Sequence, residues 1–128
     1  MSLSASKIAA VAAVNDMVRA RNFYEETLGL EPAESGADGT EVLYGCGDGT
    51  GLLVYPSPDH AGKGSATIAA WEVDDFDAEV SALRGRGITF EVYEGFGQDE
   101  NGVMMMMNQA RVAWFTDPDG NTFAISGP

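Results

Sequence analysis

The chain repeats its own plan. The stretch AAVAAVNDMVRARNFYEETLGLE in the first half recurs in outline as ATIAAWEVDDFDAEVSALRGRGITF in the second. Each begins with a run of small apolar residues, passes through Val-x-Asp, continues in a helical pattern and closes on Leu, Gly and an apolar residue. Val14-Asn15-Asp16 corresponds to Val73-Asp74-Asp75, and Gly29-Leu30 to Gly87-Ile88. Later, GDGTGLLV is answered by PDGNTFAI. An internal repeat restricts the fold more than any local propensity, because both copies must satisfy the same supersecondary unit.

Local chemistry specifies that unit. Residues 8–14 are rich in Ala, Val and Ile and are bounded by Asn15-Asp16. Asp16 is placed to cap a helix whose apolar face carries Met17, Phe23, Tyr24 and Leu28. Gly29 supplies its left-handed stop. Asp75 opens the second helix, with Phe76, Val80 and Leu83 on one face and Gly85 or Gly87 as its end. Further strands are expected over about 40–45, 51–55, 88–93, 111–116 and 121–126, joined by DGT and DPDGN turns. The result is a β-α-β-β-β module used twice, over approximately 5–57 and 65–127, with 58–64 as a Pro/Gly-rich linker and 1–128 as one domain. Residues 95–109, GFGQDENGVMMMMNQ, show no clear period and read as a long loop of the kind that often carries function.

Composition narrows the partners. The chain has 128 residues, 45% hydrophobic and 21% charged, enough apolar material for a core. Acidic residues number 20 against 7 basic ones, a net charge of −13. That excludes the basic footprint of a nucleic-acid binder, disfavours anionic lipid surfaces and is compatible with cationic small molecules. No apolar run is long enough to span a membrane, and no basic region followed by an apolar block opens the chain. The single cysteine, Cys46, has no internal disulfide partner. A cytoplasmic location is therefore expected.

The segments MVRARNFYEETLGLE, WEVDDFDAEVSALRGRGITF and WFTDPDGNTFAI span nearly the whole chain. Through them the chain resembles the vicinal oxygen chelate superfamily, which includes glyoxalase I, extradiol dioxygenases and bleomycin-resistance proteins. The resemblance implies an α+β fold of two βαβββ modules whose mixed sheets curl into a cup around a ligand. It also implies where a metal would be held: on the first strand of each module, at Ala9 and Ile68, and on the last, at Leu53 and Ala124. All four are aliphatic and offer no lone pair to Zn²⁺, Fe²⁺ or Mg²⁺. Their neighbours Ile8, Ala10, Thr67, Ala69, Leu52, Val54, Phe123 and Ile125 do not restore a ligand set. Neither a metal nor another cofactor is expected.

Other catalytic patterns are equally bare. The one histidine, His60, lies in the linker PSPDHAGKG. Cys46, in YGCGDG, reads as a small strand-end residue. GCGDGTG lacks the lysine and following helix of a phosphate loop and reads as a hairpin turn. Capping and turn formation account for Asp74-Asp75 and Asp117-Asp119. A metal-free acid–base enzyme using Glu41, Glu72 or Tyr44 remains open.

An apolar floor with a few polar groups is the usual form of a small-molecule site. The expected lining is therefore Ala9, Leu53, Ile68 and Ala124, with Tyr44, Tyr55, Phe96, Met105, Arg111 and Trp114; Trp71 and Tyr93 are further aromatic candidates. Strand parity puts Trp71 opposite Ile68 and Ala70, consistent with packing beneath a helix. Met104 to Met107 form an adaptable thioether cluster. Arg111 is available either to a ligand carboxylate or to Asp99 or Glu100. The expectation is a metal-independent protein binding a small organic ligand. The alternative is a glyoxalase-like lyase, isomerase or dioxygenase with non-standard residues. Open sheet edges on both modules predict a homodimer, with modules paired within or between chains.

Overall fold

The chain divides between Gly64 and Ser65 into two units, each with its own four-stranded mixed sheet. The structure is a computed structural model that describes residues 2–37, 40–106 and 109–128.

In the first unit, β1 (Ala9–Val14) leads into α1 (Met17–Arg21). Asp16 caps this helix: its carboxylate accepts from the Val18 and Arg19 amides at 2.9 and 3.4 Å. The helix then widens into π-helical turns over Asn22–Thr27, with the Leu28 amide donating five residues back to the Phe23 carbonyl. β2 (Glu31–Ser35), β3 (Val42–Gly45) and β4 (Gly51–Pro56) complete the sheet in the order β1-β4-β3-β2. β1 and β4 are parallel, and the other pairs are antiparallel. Burial alternates along β3 and β4 and at the end of β1. Ala12, Val14, Val42, Tyr44, Leu52 and Val54 are buried with Ala20 and Tyr24 of the helical segment.

The second unit repeats this order. β5 (Thr67–Glu72) precedes α2 (Phe76–Gly85), followed by β6 (Met104–Met105), β7 (Arg111–Thr116) and β8 (Thr122–Gly127), in the order β5-β8-β7-β6. The Asp75 carboxylate caps α2 through the Ala78 amide at 3.1 Å. Phe76, Val80 and Leu83, spaced four and three apart, are its buried stripe. The turn before β8 is built on Asp117, which is buried. It accepts from the Asp119 amide and from both the backbone and side-chain amides of Asn121. Gly120 supplies a φ of +95° there.

Two strand expectations need correction. Residues 88–93 do not form a ladder strand. Ile88 and Phe90 are buried as the alternation requires, and the Glu91 amide donates to the Trp114 carbonyl. The edge of β7 pairs instead with β6, drawn from the methionine run that reads as loop in the sequence. β2 is also absent from the sequence reading. Its residues Glu-Pro-Ala-Glu-Ser are all exposed, so no burial imprints a period on them. Proline and acidic side chains are typical of an outer strand.

Candidate functional site

Each sheet has one face against its helical segment and one face away from it, and the register assigns every candidate to a face. In the first unit Val11 pairs with Leu53, which pairs with Leu43; Ala13 pairs with Tyr55, and Ala9 with Gly51. Ala9, Val11, Ala13, Leu43, Leu53 and Tyr55 thus share the face away from the helix. All are exposed or half-buried.

Tyr44 lies on the other face, fully buried. Its ring stacks on Tyr24 at 5.9 Å, and its hydroxyl donates to Glu25 Oε2 at 2.8 Å. The same oxygen accepts from Arg21 Nε at 2.7 Å. Burial, then the Glu25 carboxylate, push the Tyr44 phenol well above its ordinary value. The Arg21 hydrogen bond holds the Glu25 carboxyl below the usual glutamate range. Tyr44 is therefore a packed, protonated core residue, separate from the Leu53 face.

In the second unit Ala70 pairs with Ala124, and Ala124 with Trp114, so these three share the face away from α2. Ala124 itself is buried. Ile68 lies where the β5/β8 register shifts and is 39% exposed. Trp114 forms a three-ring cluster with Tyr93 and Phe96. Its ring centroid is 6.0 Å from Tyr93 and 6.2 Å from Phe96, both edge-on, and Tyr93 and Phe96 are 5.4 Å apart. Phe96 remains 54% exposed.

The loop that presents these rings is fastened by Gln98. Its Oε1 accepts from the Tyr93 amide at 2.6 Å, and its Nε2 donates to the Glu91 and Gly102 carbonyls at 2.9 and 2.7 Å. Gly95 and Gly97, at φ +81° and +73°, turn the backbone on either side of Phe96. Gln98 is missing from the sequence-based site. The Gly-Phe-Gly-Gln run was its only trace.

Arg111 and Met105 pair with each other and lie on the α2 face, one residue out of phase with Trp114. Arg111 grips Asp77 of α2 through both terminal nitrogens, at 2.8 and 3.3 Å, rather than Asp99 or Glu100. Trp71 also lies on this face, stacked against Phe115 and Phe123. Of the Met104–Met107 cluster, Met107 lies outside the described residues.

The four inferred metal positions fall in pairs on adjacent strands, Ala9 near Leu53 and Ile68 near Ala124. Their aliphatic side chains do not fit a metal. Among the described residues, no three His, Cys, Asp or Glu side chains group closely enough to hold one.

This duplicated architecture has clear relatives. The chain belongs to the glyoxalase/bleomycin resistance protein/dioxygenase superfamily, whose family model matches residues 7–125. A glyoxalase/bleomycin resistance protein from Catenulispora acidiphila DSM 44928 is similar at 27% identity and a TM-score of 0.71, over 95% of this chain and 97% of that one. TnmS3, an antibiotic binding protein from Streptomyces sp. CB03234, superposes with a TM-score of 0.72 at 23% identity, over 100% and 99%. A lactoylglutathione lyase from Agrobacterium tumefaciens does so at 0.71 and 18%, over 96% and 93%. The last two show the shared fold. No curated protein matches the chain significantly. No helix among the described residues is long and apolar enough to cross a membrane.

Proposed function

We infer that this chain binds a small, flat organic molecule on the sheet face that carries Trp114, without a metal at the family's four positions. The observation that carries this reading is the half-exposed cluster of Tyr93, Phe96 and Trp114 beside Ala70 and Ala124, held by Gln98. Edge-on aromatic rings on an apolar floor leave a planar ligand π-faces to stack on and a dry surface to cover. The net charge of −13 is compatible with a neutral or cationic ligand on this face. The likeness to an antibiotic binding protein puts antibiotics among the molecules to try. A cytoplasmic homodimer belongs to the same reading, since β1 and β5 are outer strands of their sheets.

The test uses a Trp71→Phe protein, in which Trp114 is the sole tryptophan, screened against planar antibiotics and metabolites by fluorescence and thermal shift. A saturable Trp114 response with a raised melting temperature supports the reading. No response across the screen, or stoichiometric metal in protein purified without added metal, overturns it. The enzymatic alternative draws on the likeness to a lactoylglutathione lyase. Metal-dependent turnover of methylglyoxal with glutathione would favour that alternative.

A further inference from the structure

A concave site lies on the opposite face of the same sheet. A groove of about 470 Å³ runs between α2, the loop over residues 97–103 and the start of β7. Val80, Val103 and Met105 give it an apolar wall, and Arg111 stands in it. Two arginines of this acidic chain, Arg84 and Arg111, line it beside Asp77 and Asp99; Arg84 donates to the Asn101 carbonyl at 3.0 Å and lies over Phe90, which leaves Arg111 as the candidate guanidinium for a ligand.

The Arg111 guanidinium has three supports. It sits over the Phe76 ring at 4.9 Å from the centroid, it donates to the Pro128 main-chain oxygen at 3.0 Å, and it grips the Asp77 carboxylate. The first two hold it in place whatever Asp77 does. The Asp77 side chain is 77% exposed while that of Arg111 is 29% exposed, so the carboxylate can swing into water and leave the fork oriented. An exposed ion pair of this kind contributes little net stability, whereas a planar guanidinium matches any carboxylate in the same bidentate way.

We propose that this groove binds a small organic carboxylate, which replaces Asp77 on Arg111 and lays its apolar body against Val80, Val103 and Met105. Asp77 acts as an internal competitor that occupies the fork when no ligand is present. The groove lies on the opposite side of the sheet from Trp114, because residues 111 and 114 of one strand point to opposite sides, and it shares with that face only the loop that carries Gly97 and Gln98.

The experiment is an NMR titration of the ¹⁵N-labelled full chain with phenylacetate, with neutral phenylacetamide as control. Phenylacetate is expected to shift the Val80, Val103 and Met105 amides saturably, and phenylacetamide to leave them unmoved. Asp77→Ala should tighten phenylacetate binding by about two- to fivefold, the range set by releasing an exposed ion pair. A purely structural pair would show no such gain. Arg111→Gln should abolish the shifts. If its melting temperature drops, Arg111→Lys serves instead: it keeps the charge, loses the fork and should weaken binding. The proposal is overturned by an absence of saturable shifts in the Asp77→Ala protein, by equal binding in both Arg111 variants and wild type, or by shifts confined to the Trp114 indole.

Discussion

Two tyrosines of the chain show how neighbours decide a residue's role. Tyr93 is half-buried, next to exposed Phe96, and its phenol is raised by burial and by Glu91, so it stays neutral and available for stacking. Replacing Trp114 and Phe96 by alanine is expected to weaken ligand binding about tenfold or more, roughly 1.4 kcal/mol per decade. The check is a fluorescence or calorimetric titration with the best ligand of the screen. Tyr44 instead contributes to stability. Tyr44→Phe leaves the ring stack intact but removes the hydroxyl from Glu25, and should cost about 1 kcal/mol in urea unfolding.

Glu25 adds a pH dependence of defined sign. Its folded pKa lies below the ordinary value of 4.5. Its contribution is therefore fully present above that value and is lost as pH falls through the lowered one. The urea midpoint should drop on acidification below about pH 4.5, and less steeply in a Glu25→Gln protein. Equal slopes in the two proteins would contradict this.

At the scale of elements, the loop over residues 91–103 matters most. Gly102 has a φ of +84°, and a Cβ there would lie 2.7 Å from the Glu91 carbonyl oxygen. Gly102→Ala should cost about 1–3 kcal/mol and displace Phe96, lowering ligand affinity as well. Gly64→Ala, where an added Cβ meets nothing, is the matched control and should be neutral in both assays. Gln98→Ala leaves the Tyr93 amide and two carbonyls without their partner, so it should loosen the same loop. Amide exchange across residues 91–103 would report both changes directly. The capped helices are different. Asp16 and Asp75 act within their own first turns, which is why both helix starts are readable from the letters alone.

For the whole molecule, the expected species is a dimer of twice the 13.5 kDa chain mass. Light scattering at micromolar concentration and physiological salt is the measurement. A mass of 13.5 kDa across that range would rule the dimer out. At a charge of −13 per chain, lower salt should shift the equilibrium toward monomer, because screening weakens.

What the letters determined is whatever depends on near neighbours. The duplication, the Asp-capped helices, the glycine stops and the Asp117–Asn121 turn are all closed by contacts a few residues apart. Burial alternates along β4 and the end of β1, as a strand packed on one side requires, whereas β8 buries four successive residues, Thr122 to Ile125, so no period of two marks it. That Ala9, Leu53, Ile68 and Ala124 are aliphatic is read from identity alone, whereas their place as the family's metal positions is what the resemblance implies. Tertiary structure decided the rest. β2 has no buried face to leave a pattern, and β6 exists because β7 offers an edge to Met104 and Met105. Which side of the sheet a residue serves followed from the ladder register. Register separated Tyr44 from Leu53 and Arg111 from Trp114, and it brought Arg111 to Asp77, 34 residues away in the chain. A charge can be read from one letter, but its partner across such a distance depends on the packing of α2 on the sheet.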